Sequence, residues 1–219
     1  MKTSRGLIPL WLENGFRTLL DPLINVFVRM NINPNFFTVL GLVITSLGTV
    51  VLFINPAWIH WTGTLILLGG MCDMIDGKLA RTSGRTTKFG ALFDSSLDRY
   101  SEVIMFFGIA AYYVRHDSYL LSVMTFVALG GSTMVSYVRA RAEGLGFEAK
   151  VGWMQRAERV LLIGTAALFN TGLFQIPSLN NQMHTVTLLD LAIWIVAIFA
   201  NITAIQRLYF VYQLDKTNQ

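Results

Sequence analysis

The chain has 219 residues, of which 53% are hydrophobic and 14% are charged, and its formal net charge is +4. Such a high apolar fraction is typical of an integral membrane protein and excludes a soluble globular domain. The single cysteine, Cys72, excludes an internal disulfide and is expected to be a small buried residue.

The first element predicted along the chain is an amphipathic helix over residues 6–31 that lies at the membrane interface, with Arg17 and Arg29 near the lipid headgroups. No cleavable signal peptide is expected, because the apolar stretch 6–12 is short and lacks a small-residue cleavage site. We therefore divide the chain into an interfacial segment, 1–33, and one membrane domain, 34–219. The apolar positions of the helix are Leu10, Trp11, Phe16, Leu19, Leu20, Leu23, Val26 and Phe27.

Six apolar runs are long enough to predict membrane-spanning helices. They cover about residues 36–54, 58–74, 100–114, 119–138, 160–174 and 186–208. Six helices of about 20 residues nearly use up the chain. The sequence therefore predicts an all-α integral membrane fold with six transmembrane helices after the N-terminal amphipathic helix. Residues 175–184 are expected to form an extracytoplasmic loop.

Basic residues alternate between the segments that connect the predicted spans, which is the positive-inside pattern and not a patch for nucleic acid. It places both termini and the loop after the second span in the cytoplasm, so we expect a multi-pass protein of the cell membrane. The connections on the other side hold Arg115 alone. The cytoplasmic set is Lys2, Arg5, Arg17, Arg29, Lys78, Arg81, Arg85, Lys88, Arg139, Arg141, Lys150, Arg156, Arg159 and Lys216.

Four aspartates flank the loop after the second predicted span: Asp73, Asp76, Asp94 and Asp98. Each costs roughly 3 kcal/mol at a bilayer centre, and the four repel one another, so a cation is expected among them. Helical spacing places the first two on one face and the last two on one face of the next helix. Oxygen ligands suit Mg²⁺ or Mn²⁺, and two ions bridged by shared carboxylates support phosphoryl chemistry.

Residues 73–98 resemble the signature of the CDP-alcohol phosphotransferase family, D-x2-D-G-x2-A-R-x8-G-x3-D-x3-D, at every specified position. The resemblance implies that an acceptor hydroxyl attacks the lipid-linked phosphorus of CDP-diacylglycerol and that CMP leaves. It implies that Asp73, Asp76 and Asp94 bind one metal ion and that Asp73, Asp94 and Asp98 bind or approach a second. Asp98 is then the general base. The family resemblance also implies a homodimer.

The same resemblance implies which residues bind CDP-diacylglycerol. The stretch Asn35, Phe36, Phe37 and Thr38 approaches the cytidine, although Asn33 or Asn35 with Pro34 also fits an ordinary helix cap. Gly77 lets the nucleotide lie against the helix backbone. Arg81 pairs with a CDP phosphate, and Thr87 hydrogen-bonds the nucleotide.

Arginines on the predicted fourth, fifth and sixth helices indicate an anionic acceptor, because arginine deep in a membrane domain needs an anion. The segments around these residues are similar to the phosphatidylinositol-phosphate synthase branch of the family, which implies inositol 1-phosphate as the water-soluble acceptor. Arg139 stands where that branch often carries lysine. The residues implied to hold the acceptor phosphate are Ser136, Arg139, Arg156, Arg159 and Arg207.

Three other functions stay open. Glycerol 3-phosphate is also anionic, so the same reaction could give phosphatidylglycerol phosphate. An intramembrane prenyltransferase also uses aspartates and Mg²⁺, but it needs two acidic motifs far apart in sequence. A cation-coupled transporter is the non-enzymatic alternative, although only one acidic cluster is present and no second half repeats it.

Overall fold

A computed structural model describes Trp11, Gly15 and residues 18–149, 151–177 and 183–217. Several predicted features lie outside these residues, namely Lys2, Arg5, Leu10, Phe16, Arg17, Lys150 and the tip of the 175–184 loop. The helices are α1 (Asp21–Arg29), α2 (Pro34–Ile54), α3 (Ile59–Thr82), α4 (Lys88–Arg115), α5 (Tyr119–Gly144), α6 (Arg156–Leu168) and α7 (Leu188–Thr217). A short 3₁₀ turn, Pro56–Trp58, joins α2 to α3, and two strands, β1 (Gly172–Pro177) and β2 (Met183–Thr187), lie between α6 and α7.

The described part of the chain is predominantly helical, and three of its helices, α2, α5 and α7, are long and apolar enough to cross a membrane. This confirms the prediction of an all-α membrane fold. Helix α3 continues past the apolar run at 58–74 to Thr82, and α4 begins at Lys88, well before the apolar run at 100–114. The polar segments that contain the aspartates are therefore helical as well.

The predicted fifth span over residues 160–174 is wrong at its C-terminal end. Helix α6 ends at Leu168, and Gly172 begins a strand that pairs with β2 in antiparallel register, Phe174 with Val186. The expected loop 175–184 likewise contains parts of both strands. The apolar run predicted a helix, but pairing with β2 decides the structure of residues 172–177. Tyr113 then ties this hairpin to the bundle, since its hydroxyl donates to Asp190 Oδ1 at 2.7 Å while Thr187 N donates to Asp190 Oδ2 at 2.8 Å.

Polar side chains begin the two helices that flank the acidic segment. The Asn33 side chain accepts a hydrogen bond from the backbone N–H of Asn35 at 3.0 Å, and Pro34 opens α2. Thr87 accepts from the backbone N–H of Gly90 at 2.9 Å and so begins α4. These caps set the starting points of α2 and α4 beside the end of α3.

Small residues bring the helix backbones together. A side chain at Gly63 of α3 would place its Cβ 2.2 Å from the backbone nitrogen of Leu168, so α3 and α6 touch there. A Cβ at Gly41 of α2 would lie 3.1 Å from the carbonyl oxygen of Gly69 in α3. In a membrane, where the hydrophobic effect does not drive helices together, such close van der Waals contacts stabilise helix packing. Here they hold α2 and α6 against α3, the helix that contains Asp73.

Helix α1 packs one side on the bundle and exposes the other. Leu20 and Ile24 are buried in a small core with Phe37, Ile75 and Leu79, while Phe27 packs against it. The predicted apolar positions Leu19, Leu23 and Val26 instead point outward and are exposed. An ion pair of 2.6 Å between Asp21 and Lys78 joins α1 to α3, one residue past Gly77.

Candidate active site

Three of the four predicted metal ligands form a compact cluster between the C-terminal part of α3 and the N-terminal part of α4. Asp73 and Asp76 come from successive turns of α3 and Asp94 from the second turn of α4. Each offers a carboxylate oxygen that lies within 4.8 Å of those of the other two. The α-helical spacing of the residues and the packing of both α3 and α4 against α2 therefore converge three negative charges on one volume. The sequence predicted this convergence.

The oxygen atoms of this cluster fit a divalent cation. Asp76 Oδ2 and Asp94 Oδ1 are buried and have no hydrogen-bond partner among the described residues. A buried anionic oxygen without a partner carries a large desolvation cost. Carboxylate oxygens are the ligands that Mg²⁺ and Mn²⁺ prefer, and no histidine or cysteine is part of the cluster. Asp73, Asp76 and Asp94 are therefore the residues that would hold such an ion.

The fourth aspartate, Asp98, has a different neighbour. Arg156, at the start of α6, lies between two acids: its Nη1 is 2.6 Å from Asp73 Oδ2 and its Nη2 is 2.8 Å from Asp98 Oδ1. The Nε of the same guanidinium is buried without a hydrogen-bond partner among the described residues. The structure thus places an arginine from a distant part of the sequence, Arg156, at the acidic site.

The residues predicted to bind the nucleotide lie around the same helix ends. The guanidinium of Arg81 covers Gly77, with Nη1 at 3.4 Å from the place a Cβ would take. At the start of α4, Thr87 and Asn35 both lie close to Gly90, the Asn35 oxygen 3.7 Å from the place of a Cβ there. Gly77 directly follows Asp76 on α3, and Asn35 brings the start of α2 close to the start of α4.

The stretch after Asn35 divides by role. Phe36 is exposed, whereas Phe37 is buried and packs on Phe27 with ring centroids 4.8 Å apart. Thr38 is buried beside Asp76, which accepts a hydrogen bond from its hydroxyl. Thus Thr38 touches the acidic site, while Phe37 supports the helix that carries it.

The five residues predicted to hold the acceptor phosphate have different partners and do not all lie at the acidic cluster. Arg156 contacts Asp73 and Asp98. Arg159 is fully buried; its Nε donates to Glu102 Oε1 at 2.6 Å and its Nη1 to the Met154 carbonyl at 3.0 Å.

Arg207 is also buried, and it donates from Nε to the Val151 carbonyl at 2.8 Å and from Nη1 to the Val135 carbonyl at 2.6 Å. The partly exposed Arg139 pairs with Glu143 at 2.9 Å, and Ser136 is half-buried on α5.

Glu102 is the residue that the sequence analysis missed. It is buried, lies one turn after Asp98 on α4, and pairs with Arg159 of α6. Its i, i+4 spacing from Asp98 was a signal for a shared helix face. A cavity runs from the acids between α2, α3, α4 and α6 to Glu102.

Comparison with known proteins identifies the family of the chain. The sequence model of the CDP-alcohol phosphatidyltransferase family matches residues 31–202. The chain is 34% identical over 196 residues to the phosphatidylinositol phosphate synthase of Streptomyces avermitilis, covering 88% of this chain and 77% of that protein. It is 36% identical over 183 residues to the archaetidylinositol phosphate synthase of Pyrococcus horikoshii, covering 82% of this chain and 84% of that protein.

The fold is similar to that of the phosphatidylinositol phosphate synthase of Mycobacterium tuberculosis solved with CDP-DAG bound. The TM-score is 0.72 at 28% identity, over 87% of this chain and 92% of that chain. The same protein in complex with manganese and citrate gives 0.72 at 27% identity, over 87% and 88%. The chain belongs to the CDP-alcohol phosphatidyltransferase family. It is a metal-dependent membrane transferase, as its signature predicted.

Proposed function

We propose that this protein transfers the phosphatidyl group of CDP-diacylglycerol to inositol 1-phosphate, with release of CMP and formation of phosphatidylinositol phosphate. The observation that carries the proposal is the acidic cluster of Asp73, Asp76 and Asp94 with the arginine Arg156 beside it. The cluster suits the diphosphate chemistry of the family, and the arginine suits a phosphorylated acceptor. The names of the Streptomyces and Pyrococcus relatives support the same acceptor.

In this mechanism Asp73, Asp76 and Asp94 would hold one divalent cation, and Asp73, Asp94 and Asp98 would bind or approach a second. Such cations would neutralise the diphosphate and stabilise the leaving CMP. Asp98 takes the proton of the acceptor hydroxyl as general base. Its half-buried carboxylate lies 2.8 Å from Arg156, so the proposed base is next to the arginine that we assign to the acceptor phosphate.

The nucleotide is assigned to the side framed by Gly77, Arg81, Thr87 and Asn35. Because Gly77 has no side chain, a ligand can approach the α3 backbone beneath the Arg81 guanidinium. An arginine fork matches phosphate oxygens in a two-point contact. We assign Phe36 to the same surface because it is exposed there, and Phe37 and Thr38 to its support.

For the acceptor phosphate we assign Arg156 the leading role, because its buried Nε has no partner among the described residues and keeps a donor for an anion. Arg207, Arg139 and Ser136 are assigned to the same anion site. Arg207 donates two hydrogen bonds to backbone carbonyls. Because a carbonyl carries no net charge, the positive charge of Arg207 can still attract the acceptor anion. For Arg159 we propose a different role, since its charge is matched by Glu102.

We further propose six membrane-spanning helices, α2 to α7, with α1 as an interfacial helix at the cytoplasmic surface of the cell membrane. The exposed apolar face of α1 and the alternation of basic residues support this arrangement. We also propose that the protein acts as a homodimer, as expected from the family. Cysteines introduced at Arg85 and Gly146 should react with cytoplasmic-side reagents and one at Asn180 with external reagents; labelling of Asn180 only from the cytoplasm would contradict this topology.

The function is tested by the release of CMP from CDP-diacylglycerol with different acceptors. Purified protein with Mg²⁺ should release CMP with inositol 1-phosphate and far less with free inositol, which leaves the arginines unpaired. Use of glycerol 3-phosphate in place of inositol 1-phosphate would keep the phosphate site and overturn the acceptor assignment. Absence of CMP release with every acceptor would overturn the transferase assignment and favour a cation-coupled transporter.

A further inference from the structure

The contacts of Arg156 define a competition for two carboxylates. Its guanidinium takes Asp73 Oδ2 with Nη1 and Asp98 Oδ1 with Nη2, at 2.6 and 2.8 Å. A divalent cation shared by the same two aspartates needs oxygens of the same pair. The positively charged guanidinium of Arg156 and a metal ion this close to it would also repel each other strongly in a partly buried site. Arg156 and a second metal ion therefore compete for Asp73 and Asp98, because the guanidinium already engages one oxygen of each carboxylate.

The backbone position of Arg156 is fixed by the buried ion pair between Arg159, one turn further along α6, and Glu102. Arg159 has an exposed fraction of 0% and is held by Glu102 of α4 and by the Met154 carbonyl. The start of α6 is thereby attached to the helix that carries Asp98. Arg156 itself retains 21% of its side-chain exposure, so it has space to turn away from the acids while its backbone stays in place.

We propose that Arg156 is a positioning residue that holds Asp73 and Asp98 together and must yield them to the second divalent cation, turning its guanidinium to the acceptor phosphate as it does so. The inference rests on the proposed function, and it goes beyond it by coupling two events. Binding of the acceptor anion draws Arg156 from the two carboxylates and thereby strengthens binding of the second cation. By thermodynamic reciprocity, the second cation strengthens acceptor binding to the same degree.

The experiment is a titration with Mn²⁺, followed by electron paramagnetic resonance, of the purified protein in lipid nanodiscs without CDP-diacylglycerol. We compare the wild-type protein with Arg156→Gln, Arg156→Lys and Arg141→Gln, the last an exposed arginine at the end of α5. A charge within 4–6 Å changes the ionisation equilibrium of a carboxylate by about 10- to 1,000-fold. Arg156→Gln should therefore tighten the weaker Mn²⁺ site by about tenfold or more, with the tighter site changed much less.

Two further arms sharpen the result. Arg156→Lys keeps the charge but cannot bridge both carboxylates, so its weaker site should lie between those of the wild type and Arg156→Gln. Arg141→Gln should match the wild type. Addition of inositol 1-phosphate should tighten the weaker site in the wild type but not in Arg156→Gln, because the glutamine variant has no guanidinium to withdraw.

The inference is overturned if Arg156→Gln binds the second Mn²⁺ no tighter than the wild type, or if inositol 1-phosphate tightens it equally in both proteins. Should Arg156→Gln fail to fold, an Arg156→Lys variant with wild-type Mn²⁺ affinities overturns the inference as well. The proposed function has a separate readout, since Asp76→Asn must abolish the tighter site. Wild-type Mn²⁺ binding that ignores this substitution would overturn the metal assignment and not the competition alone.

Discussion

The buried ion pair between Glu102 and Arg159 predicts a structural role for Arg159. The exposed fractions of the two side chains are 4% and 0%, and Glu102 Oε1 lies 2.6 Å from Arg159 Nε. Replacing Glu102 with glutamine keeps the size of the side chain and an oxygen for this hydrogen bond, but it removes the negative charge. The positive charge of Arg159 is then buried without its matching carboxylate.

The expected magnitude follows from the burial of both partners. Removing one partner of a buried pair costs about 3–5 kcal/mol, because the other charge stays desolvated. In a chain of about 200 residues each kcal/mol corresponds to about 2–4 °C in the melting temperature. Glu102→Gln should therefore lower the apparent Tm by about 6–20 °C. The double variant Glu102→Met with Arg159→Met removes both charges and should recover most of that loss.

The measurement is thermal unfolding of the purified protein in detergent, at one fixed scan rate, followed by intrinsic tryptophan fluorescence. The control is Glu143→Gln, which removes the acid from the ion pair with Arg139. That pair has side-chain exposures of 41% and 43%, so its loss should change Tm by no more than about 2 °C.

A Tm of Glu102→Gln that stays within the range of the Glu143→Gln control would refute the reasoning. So would a double variant that is less stable than the single one. If instead Arg159→Lys keeps its Tm but raises the KM of the acceptor strongly while that of CDP-diacylglycerol stays constant, Arg159 binds the acceptor phosphate and its contact with Glu102 is secondary.

Three shorter predictions test the rest of the site. Asp98→Asn should lower kcat by about 10²- to 10⁴-fold while CDP-diacylglycerol binding is retained, measured by CMP release and by lipid-substrate binding; near-normal turnover would remove Asp98 from the base role. Gly63→Ala should destabilise the protein far more than Gly130→Ala in thermal unfolding, because a Cβ at Gly63 meets backbone at 2.2 Å and one at Gly130 meets nothing within 4 Å. Gly77→Ala should raise the KM of CDP-diacylglycerol with little change in Tm, since the new methyl group meets only the flexible end of Arg81 at 3.4 Å; an unchanged KM would place the nucleotide elsewhere.

Local sequence was enough to predict most of the helices and the acidic cluster. Asp73 and Asp76 share a helix face because they are three residues apart, and Asp94 follows across a short connection, so helical periodicity predicts that they converge. Helix α2, which packs on both α3 and α4, holds the two faces in place. The N-terminal cap at Asn33 and the apolar runs of α2, α5 and α7 are local features too. The hairpin of β1 and β2 was missed because pairing between strands, and not local periodicity, decides it.

The partners of the arginines depend on the tertiary structure alone. Arg156 lies 83 residues from Asp73 and Arg159 lies 57 residues from Glu102 in sequence, and spacing along a helix says nothing about contacts across such distances. From the sequence, Arg156 and Arg159 were equivalent residues of one basic helix end. The packing of α6 against α3 separates them, because it directs the Arg156 guanidinium into the acidic site and the Arg159 guanidinium into the core beside Glu102 of α4. The spacing of the aspartates can thus be seen in the sequence, whereas the tertiary packing of the helices determines that Arg156 is the arginine that contacts them.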